Sequence, residues 1–246
     1  MKLPITQKLD DLMRQHAISL HVPGHKNMTI GNLDALSLEM DMTEITGLDD
    51  LHHPEDTILE SMNSMNKHPN YEAYYLVNGT TSGILSVIQA FTHIKGNYII
   101  SRNVHKSVFN ALDLTQQSAD ILPMYRSDKS YQYLAPFVDT KMLQHQKLAV
   151  VTYPNYYGEC FNITQCVKQF HEYNIPVLVD EAHGAHFNLK HFPQSALESE
   201  ADYVVQSYHK TLPALTMGSV LFIHKNAPLK DEVIKYLGIF QTSSPS

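Results

Sequence analysis

Cysteine is scarce in this 246-residue chain: Cys160 and Cys166 are the only two, too few for a disulfide framework. No apolar run approaches the length of a membrane span. The opening stretch, Met1-Lys2-Leu3-Pro4-Ile5-Thr6-Gln7, lacks the apolar core that secretion needs. These absences argue against a stapled extracellular scaffold and against a helical membrane protein, and make a reducing cytoplasm the expected compartment. Positive charge is also in deficit. With 18 Lys and Arg against 25 Asp and Glu the formal net charge is −7, and no basic cluster offers nucleic acid a handle. Hydrophobic residues at 43% and charged ones at 17% describe a folded globular protein, long enough for one large domain with a sizeable core.

Near the N-terminus, residues 4–16 read as a short amphipathic helix with Ile5, Leu9, Leu12 and Met13 on one side. Pro23-Gly24 forces a turn within His21-Val22-Pro23-Gly24-His25-Lys26. Residues 41–55 are irregular and rich in acids and histidines, and a helix over 56–67 stops before Pro69-Asn70. From residue 73 a regular alternation begins. Strands are expected over 73–77, 97–101, 121–125, 148–153, 176–180, 202–206 and 219–224, with helices over 82–94, 105–117, 141–146 and 164–173. This predicts an α/β domain, a mostly parallel sheet sandwiched by helices. No internal repeat or linker divides it.

In open sheets of this kind ligands bind beyond the carboxyl ends of the strands. Five loops fall there: Asn78-Gly79-Thr80-Thr81-Ser82-Gly83, residues 102–107, residues 153–158, Asp180-Glu181-Ala182-His183 and Ser207-Tyr208-His209-Lys210. The first joins a strand to a helix through small hydroxylated residues. Its free N–H groups and the helix dipole make it an anion site or simply a capped helix; with no Gly-Lys-Ser/Thr following, it is not a P-loop. His105 reads as a helix cap or, if a flat cofactor lies over the sheet edge, as a stacking imidazole. Asp180 ends a buried strand, where a carboxylate either caps the next turn of the chain or pairs with a buried cation. Facing a pyridine nitrogen, it would keep that nitrogen protonated. Lys210 is a surface lysine or an amine made nucleophilic by burial. A metal set drawn from Asp180, Glu181, His183 and His186, with His52 and His53, is the weaker reading. The chain has no His-Glu-x-x-His, and a glycine splits His183 from His186.

Taken in order, several segments carry a resemblance: His21 to Lys26; residues 41–54 (Asp-Met-Thr-Glu-Ile-Thr-Gly-Leu-Asp-Asp-Leu-His-His-Pro); Asn78 to Gly83; and His105-Lys106-Ser107. They continue with Asp180-Glu181-Ala182-His183-Gly184-Ala185-His186, Ser207-Tyr208-His209-Lys210-Thr211-Leu212-Pro213-Ala214, and Gln241-Thr242-Ser243-Ser244-Pro245-Ser246. Any one is weak, but the ordered set, covering nearly the whole chain, resembles the bacterial ornithine/lysine/arginine decarboxylase family. The resemblance implies the major domain of a fold-type-I, aspartate-aminotransferase-like enzyme that uses pyridoxal 5'-phosphate. On that basis Lys210 would carry the cofactor as a Schiff base, Asp180 would pair with the pyridine nitrogen, and His105 would stack on the ring. Thr80, Thr81, Ser82, Ser207 and His209 would hold the phosphate, and His183 would lie near the phenolic side.

The resemblance further implies a small-molecule substrate, lysine, arginine or ornithine, decarboxylated to an amine of polyamine metabolism. It implies a homo-oligomer, a dimer or larger, that shares its active sites between subunits; the charge balance and the lack of a spanning run add the expectation of no nucleic-acid or membrane partner. Residues 1–72 would form an N-terminal segment packing on a major domain of residues 73–246. Asp56 stands where the family commonly has glycine. The chain stops at Ser246, where the family continues into a long helix and a small C-terminal domain that helps bind substrate. That stop motivates a competing reading, a catalytically silent cofactor-binding fragment. Aldol cleavage and transamination also compete, because residues that hold the cofactor do not choose which bond breaks.

Overall fold

The computed structural model describes residues 3–245; Met1 and Lys2 of the opening stretch and Ser246 of the last motif lie outside the described residues. In chain order the elements begin with α1 (Pro4–Arg14), α2 (Thr57–Met65), β1 (Tyr71–Leu76), α3 (Thr80–Ala90), β2 (Asn97–Ser101) and α4 (Lys106–Leu114). Next come β3 (Ala119–Leu122), β4 (Met124–Arg126), β5 (Tyr133–Pro136), β6 (Gln146–Thr152), α5 (Ile163–His171) and β7 (Val177–Asp180). The last are β8 (Tyr203–Ser207), the short α6 (Tyr208–Thr211), β9 (Ser219–His224) and α7 (Lys230–Phe240).

The central strands are the most apolar runs. β6, β7 and β8 are buried along nearly their whole length, as strands covered on both faces must be. The main sheet has the order β1-β9-β8-β7-β6-β2-β3. Pairing is parallel from β8 across to β3, while β9 runs antiparallel to both of its neighbours. Successive side chains point to opposite faces. Leu148, Val150, Leu178 and Val205 therefore meet Ile84, Ile88, Val108 and Val233 of α3, α4 and α7. Ala149, Val151, Val177, Val179 and Val204 meet Ile163, Val167 and Phe170 of α5 on the other side. Each large side chain so buried contributes roughly 1.5–3 kcal/mol, and these two layers fix the strand ends on which the site is built.

Some elements differ from the sequence pattern. The helix expected over 141–146 is a single 3-10 turn, Thr140–Met142, because Gln146 already belongs to β6 and pairs with Asn97. The strand expected over 121–125 is broken at Pro123, which has no N–H to give a ladder. β3 thus stops at Leu122, and β4 joins β5 in a separate hairpin. Neither β5 nor α7 is among the elements that the sequence pattern predicts. α2 begins one residue after Asp56, yet Asp56 does not cap it with its side chain. Asp49 does so instead: its carboxylate accepts the N–H groups of Glu55, Asp56, Ile58 and Leu59 at 2.9–3.3 Å, satisfying donors that a helix start leaves free. That crowd of donors, the Glu55 N–H foremost, holds Asp49 well below the usual carboxylate range. The stripe of Ile5, Leu9, Leu12 and Met13 forms on α1, which buries none of its residues. No described helix is long and apolar enough to cross a membrane.

Candidate active site

Strand register brings the acid and the lysine together. Asp180 ends β7 opposite Val205 of β8; β8 ends two residues later at Ser207, and α6 carries Lys210. Two adjacent parallel strands so deliver both groups to one edge of the sheet. Asp180 is only 4% exposed, and its Oδ1 accepts the Ala182 N–H at 3.2 Å. Burial pushes its carboxyl pKa up, opposed by that N–H, by Lys210 and by His105. Burial likewise pushes the half-buried Lys210 amine down, opposed by Asp180. The cause is common to both: a crevice of low dielectric favours the neutral form of each unless an opposite charge is close.

His183 sits on the turn after β7, its Nε2 3.2 Å from Lys210 Nζ. Burial, then Lys210 and His105, hold its imidazole down to about 4, so it is neutral at pH 7 and can accept a hydrogen bond from Lys210. Tyr156, from the loop after β6, meets the His183 ring edge-on at 5.7 Å between centroids. That loop is braced by Glu159, which accepts from Asn155 Nδ2 at 2.9 Å, from Ser130 at 2.5 Å and from Ser127. The β4–β5 hairpin, which the sequence pattern does not announce, therefore supports one wall of the crevice.

On the opposite side, Gly79 turns the chain from β1 into α3 at φ 73°, a conformation that strains any residue with a Cβ. Thr80 Oγ1 and Ser207 Oγ lie 3.3 Å apart, joining the first of the five loops to the last. Ser82 spends its hydroxyl (2.9 Å) and its N–H (3.2 Å) on the Gly79 carbonyl, while Thr81 is exposed. His209 Nδ1 lies 3.0 Å from the Gly218 carbonyl, which leaves Nε2 to meet a ligand. His105 caps α4: its Nδ1 accepts the Ser107 N–H at 3.2 Å and lies 2.9 Å from the Ser107 hydroxyl, with the residue exposed. Capping and stacking are thus compatible, since the cap orients the ring through Nδ1.

Two supports of the site escape sequence reasoning. Gly24 donates its N–H to the His209 carbonyl at 2.6 Å, and a Cβ there would come within 2.1 Å of the Leu212 carbonyl oxygen. The His21–Lys26 turn therefore clamps the segment that carries Lys210. The second support is a polar chain behind the crevice that runs from the half-buried Lys67 to the buried Gln206 and Glu181. Its only signal in sequence is Glu181, which reads there as a metal-ligand candidate. Among the described residues no group of three or more His, Cys, Asp or Glu could hold a metal ion, and His186 packs against Phe187 and Phe192. A cavity of about 740 Å³ lies beside Tyr208, lined by Leu51, Ile58, Met65, Leu215 and Met217 among others. None of Asp180, His183 and Lys210 lines it, so these groups converge outside that cavity.

The architecture is that of the fold-type-I pyridoxal-phosphate enzymes. Aminotransferase AspB from Helicobacter pylori matches with a TM-score of 0.60 over 80% of this chain and 56% of its own, at 13% identity. Substrate-bound BacF from Bacillus subtilis matches with 0.60 over 75% and 50%, at 17% identity. At such identities the likeness is one of fold alone. The chain itself belongs to the Orn/Lys/Arg decarboxylase family, whose major domain matches residues 3–246. Among curated relatives, the uncharacterized protein YaaO of Bacillus subtilis (strain 168) is 41% identical across 100% of this chain and 54% of its own length. An arginine decarboxylase of Bacillus cereus is 28% identical over 99% and 56%, and one of Bacillus subtilis (strain 168) is 29% identical over 95% and 51%. The chain spans about half the length of the curated relatives it matches.

Proposed function

We propose that this chain holds pyridoxal 5'-phosphate and forms the cofactor-binding part of a decarboxylase acting on a basic amino acid, lysine, arginine or ornithine. The observation that carries this is the Asp180–Lys210 pair at the ends of adjacent strands, with His183 Nε2 3.2 Å from the lysine amine. The residues fit the cofactor. A protonated ring nitrogen against Asp180 would favour the charged carboxylate that burial alone disfavours. Lys210 would anchor the aldehyde carbon, and its lowered pKa enlarges the neutral, nucleophilic fraction of the amine. The hydroxyls of Thr80 and Ser207, the first N–H groups of α3 and His209 Nε2 would take the phosphate. Thr81 and Ser82 belong to the same turn, Ser82 shaping it through Gly79.

Bound there, the cofactor supplies an electron sink for the bond that breaks to release carbon dioxide. His105 would cover the ring face, held at its angle by Ser107. His183 keeps a neutral Nε2 beside Lys210, where it accepts a hydrogen bond from the amine and helps to orient it. Family membership supports decarboxylation, and the arginine decarboxylases among the relatives support a basic substrate. We extend the proposal to a cytoplasmic homo-oligomer with shared sites that makes a polyamine precursor. Support for a neighbouring subunit is the apolar side of α1, which this chain leaves exposed.

The test is incubation with pyridoxal phosphate and then an amine-product assay on lysine, arginine and ornithine. A visible absorbance band that Lys210→Ala abolishes, with amine released from one of the three, is the expected result. A colourless wild-type chain would refute cofactor binding. A coloured chain that releases no amine would refute the activity and leave a silent cofactor-binding fragment.

A further inference from the structure

We propose that Lys67 is a positioning residue for the Asp180–Lys210 site, acting through a buried relay to Glu181 that ties the ends of β7 and β8 together. Lys67 lies between α2 and β1, far in sequence from both strands. Its Nζ donates to the Ala185 carbonyl at 2.9 Å and to Gln206 Oε1 at 3.1 Å, and stands 4.5 Å from the centre of the Tyr208 ring. One ammonium therefore touches the turn after β7, the last residue but one of β8 and the first residue of α6. Gln206 passes the contact on, donating through Nε2 to Glu181 Oε2 at 2.5 Å. Glu181 also accepts from Ser195 Oγ at 2.9 Å and from the Ala196 N–H at 2.7 Å. Glu181, Gln206 and Ser195 are completely buried.

The relay brackets the reactive groups. Asp180 precedes Glu181, His183 lies between Glu181 and Ala185, and Ser207 and Lys210 come after Gln206. Gly184, the glycine that separates the two histidines of the motif, is required by the same packing: a Cβ there would approach Glu181 Cγ to 2.5 Å. Stability alone is a poor reason for such an arrangement. Well-packed apolar side chains in place of buried ionic groups are often as stable or more so, whereas a polar network can fix one geometry. What this geometry fixes is the turn that holds His183 against Lys210 and keeps the lysine half-buried.

The charged and titratable groups facing Lys67 are Glu181 and His186, with the Tyr208 ring above it. Those facing Lys210 are Asp180 and His183, with His105 acting on both of them. Burial is the larger influence on Lys210. Loss of Lys67 frees the Ala185 carbonyl and the Gln206 amide, lets the turn loosen, and rehydrates the Lys210 amine.

The proposal is tested on the chain without cofactor, by acetylation of Lys210 across a pH series read by peptide mass spectrometry. This readout needs neither cofactor nor turnover, so it stands apart from the decarboxylase proposal. Lys67→Met is expected to raise the Lys210 midpoint by about half a pH unit or more, as water reaches the amine, and Lys67→Arg to bring it back towards wild type. Glu181→Gln keeps shape but sets two amide NH2 groups face to face, so Gln206 must turn its oxygen away from Lys67. It is expected to shift the midpoint in the same direction, and it serves where Lys67→Met does not fold, with circular dichroism as the check on folding. An unchanged Lys210 midpoint in a folded Lys67→Met or Glu181→Gln protein would overturn the proposal.

Discussion

A carboxylate in the position of Asp180 costs several kcal/mol to keep charged unless a cation meets it. At the same sheet edge the cation at hand is Lys210, itself pushed towards neutrality by burial. Neither group settles the other fully, and a ring nitrogen that carries a proton would complete the set. Asp180→Asn preserves shape and removes the charge. Losing one hydrogen bond to a charged group is worth about 1.5–3 kcal/mol, so the variant is predicted to bind pyridoxal phosphate roughly 10- to 150-fold more weakly by equilibrium titration. Without cofactor its melting temperature should match or exceed wild type, since a buried charge has gone. Equal affinity in the two proteins would contradict the role given to Asp180. Asp180 and Lys210 are legible in sequence because a charge at the end of an apolar run is conspicuous. Lys67 is not, since it lies just past a helix end among polar residues and its partners are more than a hundred positions away.

Among the elements, the loop that carries Lys210 is held from two directions. The His21–Lys26 turn presses on it through Gly24, where overpacking costs typically about 1–3 kcal/mol. Gly24→Ala is therefore predicted to lower the melting temperature by about 2–12 °C by calorimetry and to weaken cofactor retention with it; an unchanged melting temperature would argue against the clamp. From behind, Glu181 gives a pH signature. Its pKa in the folded chain is raised by burial from 4.5 to about 7, so a proton on Glu181 favours the folded state. That stabilisation is complete below pH 4.5 and is lost as the pH rises through 7. Lys67, lowered from 10.5 to about 8, works in the other window: the unfolded chain binds the extra proton there, so stability recovers as the pH rises from 8 towards 10.5. Urea melts should show the stability of wild type relative to Glu181→Gln falling between about pH 5 and pH 7; a flat or rising difference would contradict the assignment.

For the molecule as a whole, the alternation of apolar runs and helices identifies the covered, largely parallel sheet, because burial on both faces leaves strands no polar alternation. The antiparallel course of β9, the hairpin of β4 and β5 and the helix α7 depend on contacts between distant segments, and a single sequence records them weakly. Val233 and Leu237 form a helical pair, yet only packing beside α3 makes it decisive. The candidate site is legible as five loops at one sheet edge. Its supports, Gly24 and the relay from Lys67 to Glu181, are not, because each acts through a backbone approach or a buried side-chain chain that no local motif announces. We propose that Lys210, out of every lysine in the chain, is the one that takes an aldehyde cofactor. The most direct measurement is borohydride reduction of the chain loaded with pyridoxal phosphate, with peptide mapping of the fixed pyridoxyl group. The label is expected on Lys210 and is expected to be lost in Lys210→Ala. A label confined to another lysine, with Lys67 the nearest rival because burial also lowers its pKa, would contradict it.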